Sequence, residues 1–271
     1  MSERLGAWKD APLAYVLAEV RTEQLADLKN YQPDLAAAFR GDFPIQRALV
    51  TARIIATPAG VPSIEPEQDN AWEFATPDNH IGLILRPQGF VLHATKYTDH
   101  ADFLGRFDRA LKLIAEKIPS IYVNRLGLRY VDFVIPKQGE IPEDYVDKRL
   151  NPQIDLPKAS GSIAAMSLAV YPMSNGRLTL RYIRSAGQPQ LPPELSTIAL
   201  KKSALMQVPA IDPGQLTAIL DIDRTREFPT RELLDPLRVR EELQTMRDEI
   251  SECFKERIIT KHAREVWGAE Q

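Results

Sequence analysis

The chain has 271 residues, 44% of them hydrophobic and 26% charged, the mixture of a globular protein with a sizeable core and room for one large domain or two small ones; the order of its elements makes the expected fold class α+β. Its 34 basic residues face 37 acidic ones, a formal charge of −3, which disfavours general duplex nucleic-acid binding because such domains carry a basic excess or a basic face. No apolar run approaches the roughly 18–20 residues that span a bilayer, and the first ten residues carry charges where a secretory signal needs an apolar core, so a cytoplasmic protein without a membrane segment is expected.

Pro12 to Arg21 reads as a strand, with Val, Tyr and Leu in a short run behind a proline. Asp34 to Arg40 opens on an N-cap residue and stops at Gly41, which predicts a short helix. Arg47 to Thr57 is β-branched and loosely alternating, a strand. Pro58 to Asn70 holds Pro58, Pro62, Pro66 and Gly60 and is expected to be a loop. Trp72 to Thr76, Ile81 to Arg86 and Phe90 to Tyr97 form a meander, because Pro77-Asp-Asn-His and Pro87-Gln-Gly are turn chemistry between apolar runs. From Asp99 to Ile118 the period becomes helical, with Phe103, Phe107, Leu111, Ile114 and Ile118 on one stripe, and Ser120 to Ile135 returns to strand.

Prolines at 136, 142, 152 and 157 among charged residues mark a connector. The expected organisation is therefore a largely antiparallel sheet in two similar halves, 1–136 and 161–271, joined by 137–160 and each covered by a long helix. In the second half Ile163 to Met173 and Arg177 to Arg184 flank Ser174-Asn175-Gly176, the chain's best hairpin signal, since Asn-Gly supplies the positive φ of a tight turn. Leu191-Pro-Pro-Glu is a break, and Ala199 to Val208 fits either helix or strand. Leu216 to Arg224 alternates as a strand, followed by a charged turn from Arg224 to Arg231. A helix from Pro236 to about Thr260 closes the chain, its stripe made of Val239, Leu243, Met246, Ile250, Cys253 and Ile258.

The familiar signatures of phosphate loops, dinucleotide folds, zinc proteases and serine-hydrolase elbows are missing, so no cofactor is implied and the question of catalysis stays open. A single cysteine, Cys253, makes neither an internal disulfide nor a thiolate-rich zinc site and reads as core filler. Asn124 to Asp132 is the most unusual segment: on a strand Arg125, Gly127 and Arg129 share one face, with the glycine leaving space between two cations. Two guanidiniums so placed either grip a phosphate or carboxylate or pair with acidic side chains of the protein. Arg181 lies on the polar face of the strand from Arg177 to Arg184. If both faces line one cleft, Arg125, Arg129 and Arg181 form an anion or single-strand nucleic-acid site, with Tyr130 or Tyr182 to stack on bases. Asp221 and Asp223, two apart on a strand, are candidate Mg²⁺ ligands or cross-strand partners of those arginines. His93 reads as a satisfied sheet residue. Trp267, just past the last helix, either docks onto the body of the protein or anchors a partner.

Ala11-Pro12-Leu13 leading into Ala18-Glu19-Val20-Arg21, the run Arg125-Leu-Gly-Leu-Arg-Tyr130, Leu220-Asp-Ile-Asp223, the long final helix and the Trp267-Gly268 ending are similar to a sporadically distributed family of uncharacterised bacterial proteins of about this size. The resemblance spans nearly the full length and implies no activity or catalytic residue; its patchy distribution implies mobile, defence or toxin-linked genes as context. Taken together, the expectation is a non-catalytic cytoplasmic binding protein, an adaptor or immunity-type inhibitor whose partner is another protein. The alternative is a phosphate-ligand or nucleic-acid-binding protein or enzyme that uses an arginine-lined cleft.

Overall fold

The computed structural model describes residue 8 and residues 10–55, 63–151, 162–195 and 210–268; for 50–55 and 63–69 it describes the backbone. The ambiguous segment Ala199 to Val208 lies outside the described residues. Among the described residues there are nine strands: β1 (Leu13–Thr22), β2 (Ile45–Ile55), β3 (Ser63–Ala75), β4 (Ile81–Arg86), β5 (Gly89–Ala94), β6 (Tyr122–Val134), β7 (Ala164–Met173), β8 (Gly176–Ala186) and β9 (Leu216–Leu233). They form one antiparallel sheet in the order β2-β3-β4-β5-β1-β6-β9-β8-β7. Two meanders therefore meet at the β1–β6 pair, where Leu17 faces Arg129 and Ala18 faces Leu128. The sheet is continuous from one side of the predicted connector to the other.

Helices α1 (Leu28–Phe39), α2 (His100–Lys117) and α3 (Pro236–Cys253) cover one face. Strand periodicity of two decides which side chains meet them: Val16, Ala18 and Val20 of β1, Leu126 and Leu128 of β6, and Leu220 and Ile222 of β9 share the main core with Phe103, Phe107, Leu111, Ile114, Val239, Leu243 and Met246. The predicted stripes of α2 and α3 are thus the buried ones. Asp99 caps α2 by accepting from the Asp102 backbone N–H at 2.8 Å.

Four expectations need correction. Helix α1 begins at Leu28, so Pro33 sits inside it and Asp34 is not its cap; burial of Leu28, Leu35 and Phe39 outweighs the backbone hydrogen bond the proline cannot make. Residues from Ser63 onward are strand rather than loop, and Pro66 is tolerated because that part of β3, among the described residues, has only β2 beside it. The charged run from Arg224 to Arg231 is not a turn but part of β9, which reaches Leu233 and pairs with Tyr122 at the start of β6. The closing helix stops at Cys253, passes through a π-helical turn (Phe254–Ile258), and restarts as α4 (Lys261–Val266), where Thr260 caps the Ala263 N–H.

The hairpin follows its sequence signal. Met173 pairs with Gly176, Asn175 takes φ 53° and Gly176 takes φ 153°. A side chain at Gly176 would meet the carbonyl oxygen of Thr225 at 2.0 Å, so β9 approaches there as closely as only glycine permits.

Candidate functional site: the charged face of the central strands

The face opposite the helices is apolar only in part. Tyr15, Leu17, Ile84, Val91, Val131, Phe133, Leu195 and Ile219 form a second, smaller core there. Around them the same alternation places Glu19 on β1, Arg86 on β4, Arg125 and Arg129 on β6, Arg181 on β8, and Asp221 and Asp223 on β9. Register brings them together: Glu19 stands opposite Gly127, Arg129 opposite Asp223, Arg181 opposite Asp221. The two arginine strands do share one face, separated only by β9.

The gap at Gly127 is filled from within. A Cβ on that glycine would lie 3.6 Å from the Glu19 carboxylate, which accepts from Arg125 at 2.5 Å and also from Arg86. Burial pushes the Glu19 carboxyl up, but the Arg125 hydrogen bond and the charges of Arg86, Arg125 and Arg21 outweigh it and hold its pKa below the usual value. Arg129 is occupied in the same way. Its Nε donates to Asp221 at 2.7 Å and its Nη2 at 2.6 Å, a bidentate pair with both residues buried, and Nη2 also donates to Glu194 at 2.9 Å. Arg181 completes the network with Glu194 at 2.6 Å and Asp221 at 3.4 Å. Burial raises the Glu194 carboxyl, and the Arg181 and Arg129 hydrogen bonds overcome it, bringing its pKa down to about 2.

Arg125, Arg129 and Arg181 are therefore paired with protein carboxylates, the second of the two arrangements their sequence allows. Asp221 meets two guanidiniums instead of an open metal position. Asp223 lies beside it, its pKa raised by burial and by Asp221 against the pull of Arg129. Among the described residues no group of three or more His, Cys, Asp or Glu side chains is placed to hold a metal ion. Tyr130 and Tyr182 point to the helix face and are not available for stacking above the arginines: Tyr182 is fully buried, and the Tyr130 hydroxyl meets His100 Nδ1 at 3.3 Å.

Further along the same face His93 is buried between Tyr15, whose hydroxyl lies 2.7 Å from Nδ1, and Glu73, 3.1 Å from Nε2. Arg47 donates to the other Glu73 oxygen at 3.2 Å. His93 is thus a satisfied sheet residue, as read from sequence. Glu19, Glu73, Arg86 and Glu194 were not singled out there; alternation in β1 does put Glu19 with Leu17 and Arg21, but only strand order puts it under Arg125.

Trp267 is 5% exposed, stacked on Phe254 with ring centroids 6.4 Å apart and tilted against Tyr145 at 5.6 Å. It docks onto the body of the protein rather than standing out as a partner anchor. Cys253 is half-buried against the main core. No helix among the described residues is long and apolar enough to cross a membrane. No protein-family model and no curated protein matches the chain.

Proposed function

We propose that the chain is a non-catalytic cytoplasmic binding protein, an adaptor or immunity-type inhibitor, that takes an extended segment of a partner protein along β7. One observation carries this reading. Met166, Leu168 and Val170 are 63%, 58% and 55% exposed on a strand that, among the described residues, has a neighbour on one side only. Edge strands ordinarily defend themselves with charge; Ala164–Met173 carries none and has only Pro172, near its end, to discourage pairing. Such an edge offers backbone hydrogen bonds for affinity and alternate apolar positions for selectivity. Arg125, Arg129 and Arg181, on the face that Met166, Leu168 and Val170 share, are paired with protein carboxylates, which suits a fixed structural face more than a phosphate cradle.

The test is retention of a host protein by the tagged chain, compared with Leu168→Glu and Val170→Lys. The expectation is one protein retained in stoichiometric amount by the wild type and lost from both variants, whose stability changes by no more than about 0.5 kcal/mol at these surface positions. Equal retention by the variants, or turnover of a substrate by the purified chain, removes the proposal. The common face of Arg125, Arg129 and Arg181 is what favours the alternative, an anion or phosphate-ligand site with Asp221 and Asp223 as metal ligands. Binding of a phosphate ligand that Arg125→Ala and Arg129→Ala abolish would put that reading first.

A further inference from the structure

Asp132 lies on the helix face near the end of β6, opposite Leu13 and Leu220, beside an irregularity in the β1–β6 register between Leu13 and Tyr15. Trp8, Ala11 and Pro12, ahead of β1, line the same space: the Phe133 N–H donates to the Pro12 carbonyl at 2.8 Å, and the Ala11 N–H to the Trp8 carbonyl at 3.3 Å. Between these elements and α3 is a cavity of about 50 Å³. Its wall is apolar and aromatic, with Trp8, Leu13, Tyr97, Tyr130, Ile250 and Phe254 as the main surfaces and Asp132 as the one carboxyl. Asp132 is 5% exposed and makes no hydrogen bond or ion pair with any described residue. A buried carboxyl without a partner is rare, because a buried ion must be paired or protonated.

We propose that this cavity is a binding site for a small primary ammonium group, held by the Asp132 carboxylate and by the faces of the surrounding aromatic rings. Carboxylate and aromatic faces together are the chemistry that recognises an ammonium ion. The volume admits the ammonium and a short aliphatic stem, not a drug-sized molecule. The site is independent of the partner contact at β7.

Binding is linked to protons. Burial, reinforced by the charge of Asp221 on the opposite face of the sheet, raises the Asp132 pKa to about 7. The other titratable or charged groups nearby, among the described residues, are Tyr97 and Tyr130 in the wall, His100 at the Tyr130 hydroxyl, and Arg247 of α3. His100 is lowered to about 4, by burial first and then by Arg247, and is neutral across the range of interest. An alkylammonium stays charged below about pH 10. Its affinity therefore follows ionisation of Asp132 and falls as pH drops through 7.

The test is an NMR titration of the full chain with n-propylammonium chloride, following the Trp8 indole N–H, with potassium chloride and n-propanol as controls. Expected at pH 8 is saturable binding with a Kd of about 1 mM, the weak affinity such a small ligand allows. At pH 6 it should be about tenfold weaker. Asp132→Asn, which keeps the shape, should weaken it by about tenfold or more, and Ala11→Leu, which fills the cavity, should abolish it. Absence of saturation at pH 8, an equal response to n-propanol, or an Ala11→Leu variant that binds like wild type overturns the proposal, as does a folded Asp132→Asn with unchanged affinity.

Discussion

Arg129 and Asp221 show at the level of single residues how this protein treats buried charge. Each satisfies the other through two hydrogen bonds, so removing one partner leaves a buried ion uncompensated. Arg129→Met should destabilise the fold by about 3–5 kcal/mol, whereas Arg129→Met with Asp221→Leu should recover much of that loss; urea denaturation of both variants and the wild type measures the difference. Asp132 is the opposite case. Its folded pKa of about 7 lies above the unfolded value, so the native state holds the extra proton and stability falls as pH rises from about 4 to 7. Asp132→Asn should be near neutral at pH 4 and stabilising by about 2–4 kcal/mol at pH 8, with thermal unfolding at the two pH values as the measurement. Gly176→Ala, at a positive φ and against the Thr225 carbonyl, should lose about 2 kcal/mol or more. The arginines and the hairpin glycine are visible in the sequence as residue types in a pattern. Glu19 is not, since nothing local distinguishes it from any other acidic residue on a strand.

Among the elements, α2 was the most legible because one apolar period, from Phe103 to Ile118, runs unbroken between two strand-like segments. Asp99→Ala should cost about 1 kcal/mol through the lost cap and Phe107→Ala about 3–5 kcal/mol through the cavity left behind, a ratio that chemical denaturation resolves. Helix α1 and strand β3 were less legible for a common reason. Pro66 reads as a break and Asp34 as a helix start by local rules, yet in the fold Pro33 and Asp34 sit inside a helix held by Leu28, Leu35 and Phe39, and Pro66 lies where β3, among the described residues, is paired on one side. Tertiary burial and an unpaired edge overrule propensity at both. β9 was read too short because charges such as Arg224 and Arg226 suggest a turn. Their carboxylate partners, Glu249 and Glu242, come from α3, and in that company the arginines belong to a strand.

At the scale of the whole molecule, two meanders share one sheet through the β1–β6 pair, and α1, α2 and α3 pack on one main core. Unfolding should therefore be one cooperative transition, with calorimetric and van't Hoff enthalpies that agree; two resolved transitions in a scan would mean that the halves on either side of residues 137–160 melt separately. The sequence by itself determined the fold class, most of the strands, the buried stripes of α2 and α3 and the tight hairpin, because these follow from periodicity and turn chemistry within single stretches of chain. Only the tertiary structure decided what faces the arginines, whether Trp267 is surface or core, and that Asp132 lines a cavity with no partner among the described residues. Those depend on strand order and on which face each helix covers, which bring together residues such as Glu19 and Arg125 that no local spacing relates.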